Sequence, residues 1–524
     1  MSKSILLAFE EYQKARSSFV QTIAELSTRP QNIDPLMSAN VLVLLRSLIS
    51  DAVPSIAQSA MLALGRLANF SDEVAEAIVT ENILTSIIAC LSSHNNTTNV
   101  HMKKAACLVL RSVARHTPAL AQAIVDAGAL EFLSIALTEF DPGLKESAAF
   151  ALSHIARHSP ELALHVADNS VLSNLVLTLQ DPELALKRVA ATAIGDIAKH
   201  SVDLATAASD CGAISNLANF IQTADEKLRR QVLCTLASIA KHSVELSESV
   251  IECDVVPRVI RLLKDRDFKV RKNAAILLRE VAKMTPENSA LVVNHGAIAG
   301  FGEYIKDCLH EEPAESLPAV MAIGFISAFS ATSALAVIVE REVELLLELL
   351  VKCGEDHVRA ATVWTLGQIG KHTPEHAKAL NENGFPAHVL TLLKENCSED
   401  LVNKSKRALK SVIQVSTELS PLDCILKDEG VNAGILLTAL EQYAKILPSN
   451  VNARKAFVTT GALQRIQEIL SVVGGNGSET QSDTTIKELI SVINACFPED
   501  IVRFYSPGYS QHILQKVESF EVKI

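Results

Sequence analysis

Eight octapeptides align along the chain without gaps: ALGRLANF from Ala63, VLRSVARH from Val109, ALSHIARH from Ala151, AIGDIAKH from Ala193, TLASIAKH from Thr235, LLREVAKM from Leu277, AIGFISAF from Ala322 and TLGQIGKH from Thr365. The starts at 109, 151, 193, 235 and 277 are each 42 residues apart, and the flanking spacings are 46, 45 and 43. Weaker copies, ALKSVIQV from Ala408 and ALEQYAKI from Ala439, bring the total to about ten units. A unit of this length cannot bury its own apolar face, so the units must stack on one another. That requirement constrains the fold more than any overall property of the chain.

Within a unit the pattern predicts three helices. Leu144, Ala148, Leu152 and Ile155 recur at helical spacing, which predicts a long helix from about Leu144 to Arg157. A recurring turn follows: RHTPALA from Arg115, RHSPELA from Arg157, KHSVDLA from Lys199, KHSVELS from Lys241, KMTPENS from Lys283 and KHTPEHA from Lys371. In the second copy Ser159 can cap the next helix. Pro160 fits its first position, where no amide donor is needed, and Glu161 sits near the positive end of the dipole. A short helix then runs to Gly128, Gly212, Gly296 or Gly384, where glycine tolerates a left-handed backbone. Another apolar helix follows, for example Ile214 to Ile221. Two short helices and a long one make the armadillo unit; the two-helix HEAT unit is the alternative, and the glycine turn between the short helices favours the former.

The expectation is therefore an all-α, armadillo-repeat, right-handed superhelical solenoid of about ten repeats of ~42 residues. An N-terminal capping helix is expected over residues 1–29, the solenoid over 30–447, and a capping repeat over 448–473. The string GGNGSETQSDTT from Gly474 reads as a flexible linker over 474–485, followed by a C-terminal helix and tail over 486–524.

Composition supports this reading. Hydrophobic residues are 48% of the chain but aromatics only 4%, as suits helices packed through small side chains. The net charge of -12 gives no overall pull toward nucleic acid or an anionic membrane, so neither is expected as a partner. Ten cysteines without a C-x-x-C pair suggest reduced thiols in a cytosolic compartment. The start, MSKSILLAFEEYQKAR, lacks a secretory signal pattern, and no apolar run approaches the ~20 residues of a membrane span, so a soluble intracellular protein is expected.

Three columns of the repeat invite a chemical reading. Histidines stand at 116, 158, 200, 242 and 372. Equivalent positions in neighbouring repeats lie about 8–10 Å apart, too far to share a metal. With Met284 and Phe329 in the same column, helix-end packing or carbonyl capping is the better account. A first basic column comprises Lys103, Lys145, Lys187, Arg229 and Arg271, with Lys104, Arg188, Arg230 and Lys272 beside it and Glu146 interrupting. A second runs along Arg115, Arg157, Lys199, Lys241, Lys283 and Lys371. These ridges either complement helix ends and nearby acids or form a ladder for an acidic partner. Trp364, the only tryptophan, falls in the column of Leu108, Phe150, Thr192, Cys234 and Ile276. No Walker loop, H-E-x-x-H or G-x-S-x-G occurs, and no catalytic residue, metal or cofactor is expected.

The ends of the chain carry a more specific likeness. FEEYQKARSSFVQTIAELSTRPQNI from Phe9 and CFPEDIVRFYSPGYSQHILQKVESF from Cys496, with internal strings such as LGRLAN from Leu64 and LGQIGKHTPEHA from Leu366, closely resemble the armadillo-repeat family of the ciliary and flagellar central apparatus. The likeness runs over nearly the whole length and departs mainly around Gly474–Thr485 and Glu312–Ser333. It implies a non-enzymatic scaffold in the cytoplasm and cytoskeleton, at the axoneme of a cilium or flagellum. Such a scaffold binds a central-pair microtubule, other central-apparatus proteins and copies of itself, and is needed for motility. The tail aromatics Phe504, Tyr505 and Tyr509 are expected to pack on a neighbour or on the chain's own last repeats. The fold alone suggests a second reading, a soluble adaptor that binds extended peptides in transport or signalling. A single tryptophan argues against the import-adaptor version, which uses repeated Trp/Asn pairs.

Overall fold

The computed structural model describes residues 3–92, 100–168, 170–428, 430–475 and 481–518, and every element among them is helical. The chain forms two compact units, residues 1–284 and 285–524.

The first unit opens with the helix Lys3–Leu26 and continues with three-helix repeats. A representative one comprises Pro118–Asp126, Ala129–Ala136 and Pro142–Ala156. The two short helices meet at 86°, and the long third helix lies against the third helices of the repeats before and after it. Each piece has a local cause. Thr117, Ser159, Ser201 and Ser243 accept hydrogen bonds from the backbone N–H three residues on, at 3.3, 3.2, 3.2 and 3.2 Å, and so start the first helices. Asp141, Asp225 and Asp267 do the same for the third helices, at 2.8, 2.6 and 2.9 Å. The third helix is observed over Pro142–Ala156, close to the span predicted from its apolar stripe.

The core is made of Ala, Leu, Ile and Val on the inner sides of the helices, such as Leu144, Ala148, Leu152 and Ile155, all fully buried. Small residues let the third helices approach closely. A Cβ added at Gly195 would lie 2.7 Å from Thr235 Oγ1, and that hydroxyl donates to the Ala191 carbonyl at 2.7 Å.

In the second unit the three-helix pattern recurs in Pro286–Asn294, Ala297–Glu311 and Leu317–Phe329, in Ala331–Val339, Glu342–Lys352 and Asp356–Gly370, and in Pro374–Glu382, Phe385–Lys394 and Glu399–Val415. A helix pair, Ser420–Lys427 and Ala433–Ile446, comes next. The stretch read as a linker departs from expectation. One helix runs from Ala462 to Gly475 and another from Gln481 to Asn494, so only 476–480 lie outside the described residues. Ile486, Ile490 and Ile493 of the latter helix are buried, and it packs on Ala433–Ile446 as a third helix does. The helix expected from 486 is present and begins earlier, at Gln481, where polar composition hides its first turn.

The turn between the first two helices of a repeat requires a left-handed residue. Glycine supplies it at Gly128, with φ 77°. In the second unit the exposed Arg341 occupies the equivalent place at φ 62°, a conformation that crowds its Cβ. Arg341→Gly is therefore expected to stabilise the protein by about 1 kcal/mol, read as a higher denaturant midpoint at unchanged m-value.

Candidate functional site

The residues singled out by periodicity gather on the ends and outward sides of the third helices. The histidines are resolved first. The Nε2 of His116, His158, His200 and His242 lies 2.7, 2.6, 2.8 and 2.8 Å from the carbonyls of Ala68, Ala114, Ala156 and Ala198. In the second unit His372 is 2.6 Å from the Ser327 carbonyl. Each ring donates a proton to a carbonyl at the end of the preceding repeat's third helix, one of the acceptors that a helix C-terminus leaves open. The histidine thus caps a helix, though the helix belongs to the repeat before and not to its own.

The first basic column is matched by acids. Lys103 meets Glu139 at 2.8 Å, Lys145 meets Asp181 at 3.4 Å, and Arg229 meets Asp265 at 3.1 Å, each partner 36 residues on. Beside them Lys104 meets Asp141 at 2.7 Å, and Arg188 and Arg230 pair with Asp225 and Asp267, 37 residues on. Lys187 lies 4.7 Å from the Phe220 ring centre, and Arg271 lies 5.4 Å from that of Phe268. Seven of these eight partners belong to the approach to the next third helix: Glu139, Asp181, Phe220 and Asp265 precede its N-cap, and Asp141, Asp225 and Asp267 are the N-cap itself. Their cations join one repeat to the next, whereas Phe268 lies on Arg271's own helix. The signal was present in the sequence, since Glu139, Asp181 and Asp265 fall on the same 42-residue grid, as do Asp141, Glu183, Asp225 and Asp267.

The second column is less uniformly engaged. Arg115 is exposed and donates to Asn69 Oδ1 at 2.8 Å. Arg157 is exposed and meets no carboxylate among the described residues. Lys199 pairs with Asp196 at 2.9 Å, while Lys241 donates to the Lys199 carbonyl at 2.7 Å. Lys283 pairs with Glu280, which is 5% exposed and also held by Arg279. Apolar and aromatic side chains lie alongside: Phe150 is covered by the Arg111 guanidinium at 3.8 Å, and Cys234 is exposed. The first unit therefore presents a mixed face whose open cations are Arg115 and Arg157.

At the far end of the second unit Phe497 stacks on Phe457 at 5.7 Å, as expected of a tail that returns to its own last repeats. Phe504 does not. It sits 5.1 Å from Tyr505 and 5.7 Å from Tyr509, and 60% of its surface is exposed.

With this architecture in view, similarity to known proteins can be placed. Residues 129–421, more than half of the chain, match the family described as Proteasome non-ATPase 26S subunit. The chain belongs to that family. The match that places it in the family falls on the repeats, and it stops short of both terminal segments. Sperm-associated antigen 6 from Homo sapiens is 47% identical over 168 residues, and the Mus musculus protein is 48% identical over the same length. The aligned stretch covers 32% of this chain and 31% of each relative, so it spans about a third of their length. This family member is thus also a homologue of sperm-associated antigen 6. A crystal structure of an engineered protein superimposes on 87% of the chain and 98% of its own length, with a TM-score of 0.68 and 20% identity, a likeness of fold. The chain is an all-α armadillo-repeat protein. Among its described residues no single helix is long and apolar enough to cross a membrane.

Two outcomes test the inter-repeat contacts. Asp267 both caps its helix and pairs with Arg230, whose guanidinium holds the carboxyl below the usual range. Asparagine caps as well as aspartate, so Asp267→Asn removes the pair alone and is expected to cost at most about 1 kcal/mol, while Asp267→Ala removes both and costs about 2 kcal/mol. Denaturant unfolding of the two variants separates the contributions.

The second concerns pH. Burial draws His200 and His242 below the ordinary histidine value, and takes His154 down to about 4. The folded state then takes up these protons at lower pH than the unfolded chain does. Their stabilising effect is complete above about pH 6.5 and declines as pH falls from there through the folded values. Thermal midpoints should drop across that window, and His200→Gln with His242→Gln should flatten the slope.

Proposed function

We propose that the protein is a non-enzymatic binding scaffold of the ciliary or flagellar axoneme. It would lie in the central apparatus, in contact with a central-pair microtubule, other central-apparatus proteins and further copies of itself. The observation that carries this reading is the 47% identity with sperm-associated antigen 6, with the resemblance of both chain ends to the central-apparatus family. The geometry supports it. The repeated residues go into joining repeats, and what is left open is surface: Arg115 and Arg157 on the first unit, and the exposed aromatic group around Phe504 on the second. Cations at a surface steer encounter with an acidic partner and set its register, and an exposed aromatic group suits a contact with a neighbour.

The first column, Lys103 to Arg271, serves this function indirectly, by keeping the repeats in register. The partner-facing role falls to Arg115 and Arg157, with Lys199 and Lys241 as supports of the same line. A tagged protein expressed in ciliated cells is expected along the axoneme; its exclusion from axonemes removes the reading. With purified protein, Arg115→Glu plus Arg157→Glu is expected to weaken microtubule cosedimentation roughly tenfold without loss of helicity, and equal cosedimentation of variant and parent counts against the ridge. A chain ending at Asn494 should fail to join the assembly; normal joining excludes the tail as a contact.

A further inference from the structure

A cleft of about 400 Å³ in the second unit lies between the third helices Asp356–Gly370 and Glu399–Val415. Its lining includes Trp364, Gly367, Lys371, Lys404, Arg407 and Ser411, and no carboxylate. The indole is fixed from behind. It meets Phe325 edge-on at 5.3 Å and lies across Gly324, where an added Cβ would come within 2.2 Å of the ring. Gly367 keeps the cleft floor bare and lets the two helices approach, since a Cβ there would be 2.7 Å from that of Ala408.

The charge around this apolar wall is unbalanced. Lys404 pairs with Asp400 at 2.8 Å along its own helix. Lys371 has a neutral partner, the side-chain oxygen of Gln368. Arg407 is exposed and meets no carboxylate among the described residues. In the first basic column Lys103, Lys145 and Arg229 are each answered by an acid from the adjoining repeat; here Lys371 and Arg407 are not, and they flank the single tryptophan. A ligand complementary to the cleft needs carboxylates spaced along a backbone, joined to short aliphatic stems that can lie on an indole. Glutamate side chains meet both requirements.

We propose that the Trp364 cleft binds a glutamate-rich segment of a partner protein, its carboxylates meeting Arg407, Lys371 and Lys404 and its methylenes covering the indole. The assignment goes beyond the axonemal reading and does not depend on it, because any acidic partner of that chemistry would fit.

Trp364 is the chain's only tryptophan, so its emission reports on this cleft alone. Full-length protein is titrated with a synthetic peptide of about eight residues, mostly glutamate, long enough when extended to cross two neighbouring helices. The expected result is a saturable change in emission whose midpoint moves to higher peptide concentration as salt rises from about 50 to about 300 mM. Lys371→Glu with Arg407→Glu should weaken binding roughly tenfold or more, with the far-ultraviolet circular dichroism unchanged. Lys352→Glu, at an exposed cation of the same unit, should leave binding as it is. If the double variant does not fold, Arg407→Gln alone should still weaken binding. The proposal is overturned by an emission that the acidic peptide does not change, by equal affinity of the charge variants, or by a lysine-rich peptide of the same length binding as tightly. Equal binding of a single-stranded oligonucleotide would make the cleft a general polyanion surface and would also overturn it. Failure here leaves axonemal localisation untouched, and absence from axonemes leaves the cleft's chemistry untouched.

Discussion

The contact between a repeat's third helix and the one before it is what the architecture rests on. None of these units can bury an apolar face alone, so every other feature is arranged to bring third helices together and hold their register. Alanine and glycine along the contact permit close approach, as at Gly195 against Thr235. The histidines that follow five of the long helices reach back to a carbonyl left open at the end of the previous one, as His200 does to Ala156. Aspartates such as Asp225 start a helix with one bond and hold the preceding repeat with another. One residue therefore couples local helix formation to stacking.

This arrangement explains how an acidic chain can carry two basic columns without a strongly basic surface. In the first column Lys103, Lys145 and Arg229 are consumed by an acid of the adjoining repeat and Lys187 by an aromatic ring there, while Arg271 lies over Phe268 of its own helix. Part-exposed pairs of this kind contribute little singly, but their repetition at one position sets the offset between units. The cations that remain open stand out for that reason: Arg157 in the first unit, Arg407 in the second. In the proposed function, binding belongs to the exceptions to the repeat, since the repeated residues are occupied with one another.

A good part of this was legible in the sequence. The period, the three-helix unit, the serine and threonine caps and the left-handed glycines follow from local rules, because each involves residues a few positions apart. Carbonyl capping by the histidine was one of the two contacts expected of its column, and His200 Nε2 meets the Ala156 carbonyl. The helix over Gln481–Asn494 was legible from 486 on, but its polar first turn was not. For the first basic column two readings stayed open, nearby acids or an acidic partner, although its acids lie on the same 42-residue grid, because pairing requires knowing that position 229 of one repeat faces position 265 of the next.

By itself, then, the sequence determined the repeat, its helices and their caps, since these depend on contacts within one unit. Only the tertiary structure decided which charges are spent and which are open. That outcome depends on side chains 36 or more residues apart meeting across an interface. The Trp364 cleft is the clearest case: its indole, its bare glycine floor and its unanswered arginine come from successive third helices and become one site only where those helices stack.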